Sequence, residues 1–383
     1  MKIVGDQNIP YLREAFGSIG DVETVAGREM TAGDVRDADL LVVRSVTPVN
    51  AELLDGSSVR FVGTATIGTD HVDHAYLEDN NIGFTSAAGS NANSVAEYVV
   101  SALLAIGEKH GVGLAGRSIG VVGVGNVGSR VVKKARALGM EPVRNDPPLA
   151  RQTGEDIYRP LEEVLKCDFG TVHVPLAYDG PDPTFRLVDR DFIGRMRPGA
   201  VFLNTSRGKV VDEVELLAAL CTGELGAAVL DVWGTEPEIN PELLKLVDIG
   251  TPHIAGYSLD GKAAGTGMIY EAACAFLGIA PEIDVRSLLP EPDVPELTVR
   301  PHSERDEMLR EAVFSVYDVR EDDARLRDML DAEISQKGAY FDALRRDYPA
   351  RREFYNTALK FKNCSELTRQ TLLELGFTEQ GGV

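Results

Sequence analysis

The chain has 383 residues, of which 44% are hydrophobic and 26% charged, a composition typical of a globular protein with a hydrophobic core. Its net charge of −21 disfavours binding to nucleic acid or to an anionic membrane surface. The first residues contain no long apolar segment, so we expect no leader peptide, and no apolar run of about 18 residues that would span a membrane occurs. The four cysteines form no C-x-x-C pair, so we expect reduced thiols, a cytoplasmic location and no metal site.

Short apolar runs alternate with amphipathic stretches over most of the chain. The runs lie at residues 40–43, 61–62, 119–122, 169–174, 200–203, 227–230 and 247–249. Helical patterns lie between them, for example at residues 94–106, 127–138, 213–220 and 262–277. Such alternation predicts an α/β fold whose parallel sheets are covered by helices on both faces.

The sequence changes character near residue 281. Prolines are frequent between residues 281 and 301, which indicates a linker. The remainder, up to residue 383, has apolar and helical pieces such as 357–375 and is too apolar for a disordered acidic tail. We therefore expect a small third domain at the carboxyl end.

A glycine-rich motif lies between a predicted strand and a predicted helix. Gly123 permits a tight turn, Gly125 lets the backbone approach a pyrophosphate, and Gly128 permits close packing of helix and strand. Asp146 follows at about the 20-residue spacing expected of a ribose 2′-hydroxyl acceptor. Together they predict an NAD site, although Arg144, beside Asp146, is the residue type that would favour a 2′-phosphate.

Three later predicted strands end in residues that suit one reaction. Arg207 suits a carboxylate, His253 can accept a hydroxyl proton, and Glu236 can orient the imidazole and raise its pKa. Ligands of open parallel sheets bind at the carboxyl ends of strands, so these three side chains are predicted to converge. Each taken alone is equally compatible with a structural role.

Four motifs in order, VVGVGNVGSRVV, FLNTSRGKVVDE, AVLDVWGTEP and TPHIAGYS, resemble the signatures of the D-isomer-specific 2-hydroxyacid dehydrogenases. The resemblance implies NAD-dependent oxidation at C2 of a small 2-hydroxy acid. It gives Arg207 the substrate-carboxylate role, Glu236 the imidazole-orienting role and His253 the acid/base role. It implies cofactor contacts at Gly123, Gly125, Asn126, Val127, Gly128, Asp146, Ser206, Asp231 and Gly256.

The resemblance also implies an architecture. A flavodoxin-like substrate domain would comprise residues 1–93 and 257–280, with a Rossmann-like NAD domain inserted at 94–256. A narrower likeness to one branch of the family, in segments 42–47, 63–73, 256–258 and 348–354, implies a phosphorylated substrate. In that branch the tail, here 281–383 with its linker at 281–301, is a small α+β domain that forms a homodimer.

The narrower likeness implies substrate contacts at Ser45, Thr66 and Tyr257. Arg44 at the same predicted strand end suits an anion, but a structural salt bridge is an equally good interpretation. His71 and His74 are interpreted as residues at the start of a helix capped by Asp70, with no third ligand for a metal.

Two alternatives remain open: a D-3-phosphoglycerate dehydrogenase, and an NAD(H)-sensing transcriptional corepressor of the same fold.

The tail adds a further question, because its arginines cluster around Tyr348. They would pair with acidic side chains at a dimer interface, or one would reach the partner's substrate phosphate. The cluster comprises Arg345, Arg346, Arg351 and Arg352.

Overall fold

A computed structural model describes residues 1–302, 304–331 and 333–380. The chain forms two compact units. Residues 1–91 and 257–291 form the first, and residues 92–256 with the described part of 292–383 form the second. The predicted division into three domains stays a prediction. In the part of the chain that the structure describes, no helix is both long and apolar enough to cross a bilayer.

The strands of the described ranges are short and mostly buried. They are β1 (Lys2–Asp6), β2 (Asp21–Val25), β3 (Leu40–Val43), β4 (Phe61–Thr64), β5 (Gly83–Ser86), β6 (Ser118–Val122), β7 (Glu141–Asn145), β8 (Phe169–Val172), β9 (Val201–Asn204), β10 (Ala227–Leu230), β11 (Ile249–Gly250), β12 (Glu296–Val299), β13 (Ala358–Phe361) and β14 (Thr378–Glu379).

Helices follow most of these strands. They are α1 (Leu12–Phe16), α2 (Ala32–Val35), α3 (Ala51–Leu54), α4 (His74–Asp79), α5 (Ala92–His110), α6 (Asn126–Ala137), α7 (Pro147–Thr153), α8 (Leu161–Val164), α9 (Arg190–Arg195), α10 (Glu213–Thr222), α11 (Pro241–Leu246), α12 (Leu259–Leu277), α13 (Arg305–Val316), α14 (Val319–Arg327), α15 (Lys337–Arg346) and α16 (Glu366–Glu374).

The first unit is built on a parallel sheet of strand order β2-β1-β3-β4-β5, the order of flavodoxin-like folds. The returning helix α12 packs on it, with Ile269 so close to Gly63 that a Cβ there would collide. Tyr270 of α12 meets Phe16 edge to face at 5.6 Å between ring centroids. The flavodoxin-like prediction is therefore confirmed.

The second unit contains a parallel sheet of order β11-β10-β9-β8-β6-β7. The chain leaves β6 to form β7 on one side and returns to form β8 on the other. The crevice at the carboxyl ends of β6 and β8 is thus a topological switch point, where α/β sheets bind ligands. This sheet confirms the predicted Rossmann-like fold.

The carboxyl-terminal segment completes the second unit. Its strands form a parallel sheet of order β12-β13-β14, so the tail is α+β as predicted. Leu326, Met329 and Phe341 are fully buried in the same hydrophobic cluster as the helices and strands around β9 and β10. The helical interpretation of 357–375 is wrong for its first part, because Ala358–Phe361 pairs as the central strand β13.

A buried polar network joins the tail to α5. Glu353 accepts hydrogen bonds from the Ser94 hydroxyl at 2.6 Å, and Glu97 accepts from the backbone N–H of Phe354 at 3.1 Å. Lys134 of α6 lies 3.7 Å from Glu97 and donates to the Leu375 carbonyl. Burial raises the pKa of Glu97 to about 8 and lowers that of Lys134. Groups buried at this cost must be paired, so the network sets how the tail sits on α5.

Candidate active site

The glycine motif forms the turn between β6 and α6. Gly123 has φ 84°, and a Cβ on Gly128 would collide with the Gly123 carbonyl, so helix and strand approach as closely as predicted. A Cβ on Gly125 would meet open space. Helix α6 begins at Asn126, and no side chain caps it. The backbone N–H groups of its first turn are therefore not bonded to a capping side chain. These features fit the pyrophosphate of a dinucleotide.

Asp146 follows β7 directly, as the ribose prediction requires. Its Oδ1 accepts from Leu149 N at 3.0 Å and caps α7, and its Oδ2 accepts from Val124 N at 2.8 Å inside the glycine turn. The carboxylate thus also ties the turn to α7. A carboxylate has about four acceptor positions, so these bonds leave capacity for ribose hydroxyls.

Asp146→Asn is expected to relax the choice of cofactor while preserving the cap, since asparagine caps helices as well as aspartate does. Without the negative charge, the ratio of kcat/KM with NAD to kcat/KM with NADP should fall at least about 10-fold. Steady-state kinetics with both cofactors measures this ratio. The matched control is Asp189→Asn, which removes the charge of another capping aspartate, at α9. Equal use of both cofactors by the unmodified protein would contradict the ribose role.

Glu236 and His253 form a hydrogen-bonded pair. Glu236 Oε2 lies 2.7 Å from His253 Nδ1, and Oε1 accepts from Trp233 N at 2.8 Å. Burial raises the pKa of Glu236, but His253, the Trp233 N–H and Arg345 outweigh burial and lower it below its usual value. Glu236 is therefore ionised at neutral pH and holds the Nδ1 face of the imidazole, which leaves Nε2 for a substrate proton.

The loop that carries His253 is fixed by Asp231. The Asp231 carboxylate accepts from the backbone N–H of Ile254 at 2.7 Å and of Ala255 at 3.0 Å, and from the Thr251 hydroxyl at 2.7 Å. Burial raises the pKa of this carboxyl group. His253 itself has φ 57°, a left-handed conformation that costs energy and persists only where the surroundings impose it. Asp231, predicted to touch the cofactor, is placed here as the anchor of the His253 loop.

Arg207 follows β9 and lies beside the Glu236 loop. A Cβ on the next residue, Gly208, would collide with the Trp233 carbonyl, so only glycine permits this approach. Arg207 Nη1 donates to the Ser206 carbonyl at 2.8 Å, and the Ser206 hydroxyl donates to Asn204 at 2.9 Å. The chain therefore brings the loops of Arg207, Glu236 and His253 together within one unit, as their positions at strand ends predicted.

Glu236→Gln is expected to lower kcat about 10-fold and to move the rise of activity with pH about one unit towards acid. The amide keeps the shape of the side chain but no longer stabilises a protonated imidazole. The pH dependence of kcat/KM measures the shift. Glu213→Gln is the control, because Glu213 is a neighbouring carboxylate that accepts from Gly234 N at 2.7 Å. A pH profile that Glu236→Gln leaves unchanged would remove Glu236 from this role.

In the first unit the predicted substrate residues lie at two neighbouring strand ends. Ser45 is exposed just after β3, and Thr66, just after β4, shares a 2.8 Å hydrogen bond with Thr64. Arg44 donates to the buried Asp6 through Nε at 2.8 Å and Nη2 at 3.3 Å, so the salt-bridge interpretation describes this side chain.

Tyr257, a predicted substrate residue, belongs to the first unit, and Gly256, a predicted cofactor residue, belongs to the second. The Lys262 ammonium lies over the ring of Tyr257, 4.3 Å from the ring centroid. Gly256, the last residue of the second unit, precedes Tyr257 in the chain.

The predicted cap of the His71–His74 segment is wrong. Helix α4 begins at His74 and is capped by Asp73, whose side chain accepts from Tyr76 N at 3.0 Å, because Asp70 lies too far from the first turn. His71 Nε2 instead lies 3.0 Å from the Thr64 hydroxyl. Among the described residues no group of three or more His, Cys, Asp or Glu side chains is placed to hold a metal.

Comparison with known proteins identifies the family. The sequence model of the D-isomer specific 2-hydroxyacid dehydrogenase NAD-binding domain matches residues 82–255. The chain is 46% identical to the erythronate-4-phosphate dehydrogenase of Klebsiella pneumoniae over 98% of both chains. It is 47% identical to that of Cellvibrio japonicus over 98% of this chain and 99% of the relative. The chain belongs to the D-isomer-specific 2-hydroxyacid dehydrogenases.

The narrower likeness is confirmed too, since these relatives match 98% of this chain and so include its tail. A further family model, of a domain of unknown function, matches residues 288–376. Among solved structures, a Thermus thermophilus protein is 27% identical with a TM-score of 0.62, over 73% of this chain and 98% of its own. NAD⁺-bound 3-phosphoglycerate dehydrogenase of Entamoeba histolytica shares the fold, with a TM-score of 0.63 over 74% and 98% of the two chains at 23% identity.

This member of the family is an NAD-dependent dehydrogenase, as the sequence predicted. Sequence reasoning missed two contributions to the hydrogen-bonded pair of Glu236 and His253. The first is the anchoring of the His253 loop by Asp231, for which the one available signal is the buried strand end before Asp231. The second is the approach of the tail, through Arg345 and Arg351, for which the sequence carries no local signal.

Proposed function

We propose that this dehydrogenase oxidises 4-phospho-D-erythronate at C2 to 2-oxo-3-hydroxy-4-phosphobutanoate, with NAD, in pyridoxal 5′-phosphate biosynthesis. The observation that carries the proposal is the 46–47% identity, over 98% of the chain, to proteins named erythronate-4-phosphate dehydrogenase. The match covers 98% of both chains and so includes the tail. The tail thus favours this substrate over 3-phospho-D-glycerate.

The proposed chemistry uses the three strand-end residues. The C2 hydrogen leaves with its electron pair while the hydroxyl proton passes to His253 Nε2, so that a C=O double bond forms at C2. Glu236, ionised and 2.7 Å from Nδ1, stabilises the imidazolium that results. Arg207 binds the substrate carboxylate with its planar fork and polarises the developing carbonyl.

NAD, when bound, would accept the hydride that leaves C2. In the proposed site the N-terminal N–H groups of α6, with Gly125 and its neighbours Asn126 and Val127, hold the pyrophosphate, and Asp146 holds the adenosine ribose. Ser206 and Gly256 belong to the two loops that carry Arg207 and His253, and we assign them cofactor contact through this position. Asp231 contributes to the cofactor site indirectly, because its carboxylate fixes the backbone of the His253 loop.

The phosphorylated end of the substrate is assigned to residues of the first unit. We propose contacts from Ser45 and Thr66, both hydroxyl side chains at strand ends, and from Tyr257. Arg44 contributes positive charge there although Asp6 takes up two of its nitrogens. Hydroxyl and guanidinium donors are the groups that phosphate oxygens accept from.

NADH formation with two substrates tests the proposal. The full-length protein should reduce NAD with 4-phospho-D-erythronate at a kcat/KM at least about 100-fold above that with 3-phospho-D-glycerate. The reverse order would establish the phosphoglycerate alternative. Absence of turnover with either, together with NADH binding, would favour an NAD(H)-sensing corepressor instead.

Two further assignments belong to this proposal. We place the protein in the cytoplasm, supported by its four free cysteines, and we propose a homodimer formed through the carboxyl-terminal segment. The dimer rests on the likeness of this segment to that branch of the family. Sedimentation of the full-length protein at micromolar concentration tests it, and a single species of 41.4 kDa would contradict it.

A further inference from the structure

Arg351 of the tail reaches the loop of the proposed acid/base. Only 6% of the residue is exposed. Its Nη2 donates to the Ser94 carbonyl at 2.9 Å and to the Ala255 carbonyl at 2.8 Å. Ala255 lies two residues after His253, and Ser94 lies in the first turn of α5. One guanidinium nitrogen thus joins the tail, α5 and the His253 loop.

A purely structural role does not require a guanidinium group to be buried in this way. Its Nε and Nη1 have no hydrogen-bond partner among the described residues, and its face lies 4.1 Å from the Tyr317 ring centroid. A buried charge with two unused donors is costly, so a well-packed apolar side chain would hold the tail at least as well. Features that break a packing rule in this way concentrate at functional sites.

Two of the four tail arginines around Tyr348 are buried within the chain. Arg351 and Arg352 are 6% and 8% exposed, and Arg352 donates to Asn356 of the same segment. Both guanidinium groups are therefore engaged inside their own chain.

The His253 loop is held from two sides. Asp231 accepts from its N–H groups at Ile254 and Ala255, and Arg351 donates to its carbonyl at Ala255. These bonds act on backbone atoms next to a residue whose left-handed φ of 57° needs external support. Without Arg351, only the Asp231 side of this peptide segment would remain fixed by a charged group.

The same segment also touches the partner of His253. A Cβ added to Gly338 of α15 would lie 3.4 Å from Pro237 and 3.3 Å from Glu238, so α15 packs on the residues that follow Glu236. Arg345, on the same helix, is among the groups that lower the pKa of Glu236. Both members of the pair thus meet the tail.

We propose that Arg351 is a positioning residue for His253, which it holds in place through the Ala255 carbonyl. The tail is then part of the machinery that sets the geometry of the acid/base. The role rests on the proposed function, in which His253 accepts the substrate proton.

The test compares Arg351→Met with Arg327→Met. Arg327 is the matched control, because it too is a tail arginine that donates to two carbonyls, of Leu244 and Val247, each at 2.8 Å, but outside the His253 loop. Arg351→Met should lower kcat about 10–100-fold with the KM for NAD changed less than about twofold. Arg327→Met should leave kcat within about twofold. Equal kcat losses in the two variants, or no loss in Arg351→Met, would overturn the proposal.

Hydrogen exchange separates this inference from the proposed function, because it needs no turnover. In Arg351→Met the amides of residues 253–255 should exchange at least about 10-fold faster than in the unmodified protein, and in Arg327→Met they should not. If the unmodified protein fails to oxidise 4-phospho-D-erythronate, the proposed function fails while this comparison still reports on the loop. Unchanged exchange at 253–255 in Arg351→Met would overturn the positioning role.

Arg351→Lys covers the case in which the methionine variant does not fold. The ammonium keeps the charge but lacks the planar fork of the guanidinium, so the carbonyl bonds are re-formed imperfectly. We expect a folded protein whose kcat lies about 3–10-fold below that of the unmodified chain. A folded Arg351→Lys variant with unmodified kcat and unmodified exchange at 253–255 would overturn the proposal.

Discussion

His253→Asn is expected to lower kcat by about 10²–10⁴ while the affinity for NAD changes little. The asparagine amide still accepts and donates hydrogen bonds, but it cannot take up the hydroxyl proton as the C2 hydrogen leaves. Glu236, whose carboxylate lies 2.7 Å from Nδ1, would keep its charge without an imidazolium to stabilise. The loss should therefore appear in kcat. NADH formation at saturating substrate measures kcat, and NADH fluorescence titration measures cofactor binding.

The control for that variant is His110→Asn. His110 is an exposed histidine of the same unit that lies 2.8 Å from Asp248. Its replacement should leave kcat within about twofold, since surface ion pairs contribute little. Near-normal turnover of His253→Asn at neutral pH would show that another group, or water, accepts the proton.

Arg207→Lys is expected to lower kcat/KM for the hydroxy acid by about 10²–10³ with little change in the KM for NAD. Lysine keeps the positive charge, but it offers a point charge in place of the fork that holds a carboxylate bidentately. A lost hydrogen bond between buried charged groups typically costs about 2–5 kcal/mol, which spans this range of rates. Steady-state kinetics with varied substrate at saturating NAD measures the effect.

Arg195→Lys provides the comparison for charge-conserving replacement. Arg195 is an exposed arginine of the same unit that pairs with Glu162 and Asp191, so its replacement should leave kcat/KM unchanged within about twofold. If Arg207→Lys kept the kcat/KM of the unmodified chain, carboxylate binding would have to be assigned to a different residue.

Local sequence by itself determined the cofactor turn. Gly123, Gly125 and Gly128 act through the backbone of a single β6–α6 connection: a Cβ would collide at Gly123 and at Gly128, and Gly125 leaves the turn open. The positions of Arg207, Glu236 and His253 followed from the same logic. Parallel strands end at one edge of a sheet, so residues just after buried apolar runs come together there whatever the loops do.

The tertiary structure alone decided which partners distant polar groups take. Arg44 pairs with Asp6, 38 residues away, and Arg351 reaches Ala255, 96 residues away. Nothing in the neighbouring sequence distinguishes these from surface arginines. The segment 357–375 shows the same limit, because Ala358–Phe361 becomes a strand only where β12 and β14 are available to pair with it.

The physical reason is the range of the interactions. Turn chemistry and helix caps act over a few residues, and hydrophobic periodicity over a strand or a helix, so each leaves a pattern in consecutive sequence. A buried arginine or strand is stabilised instead by groups that folding brings from elsewhere in the chain, and tertiary packing overrides local preference. The sequence therefore determined which residues the strand ends of this dehydrogenase bring together, and only the folded chain decided that its tail contacts the His253 loop.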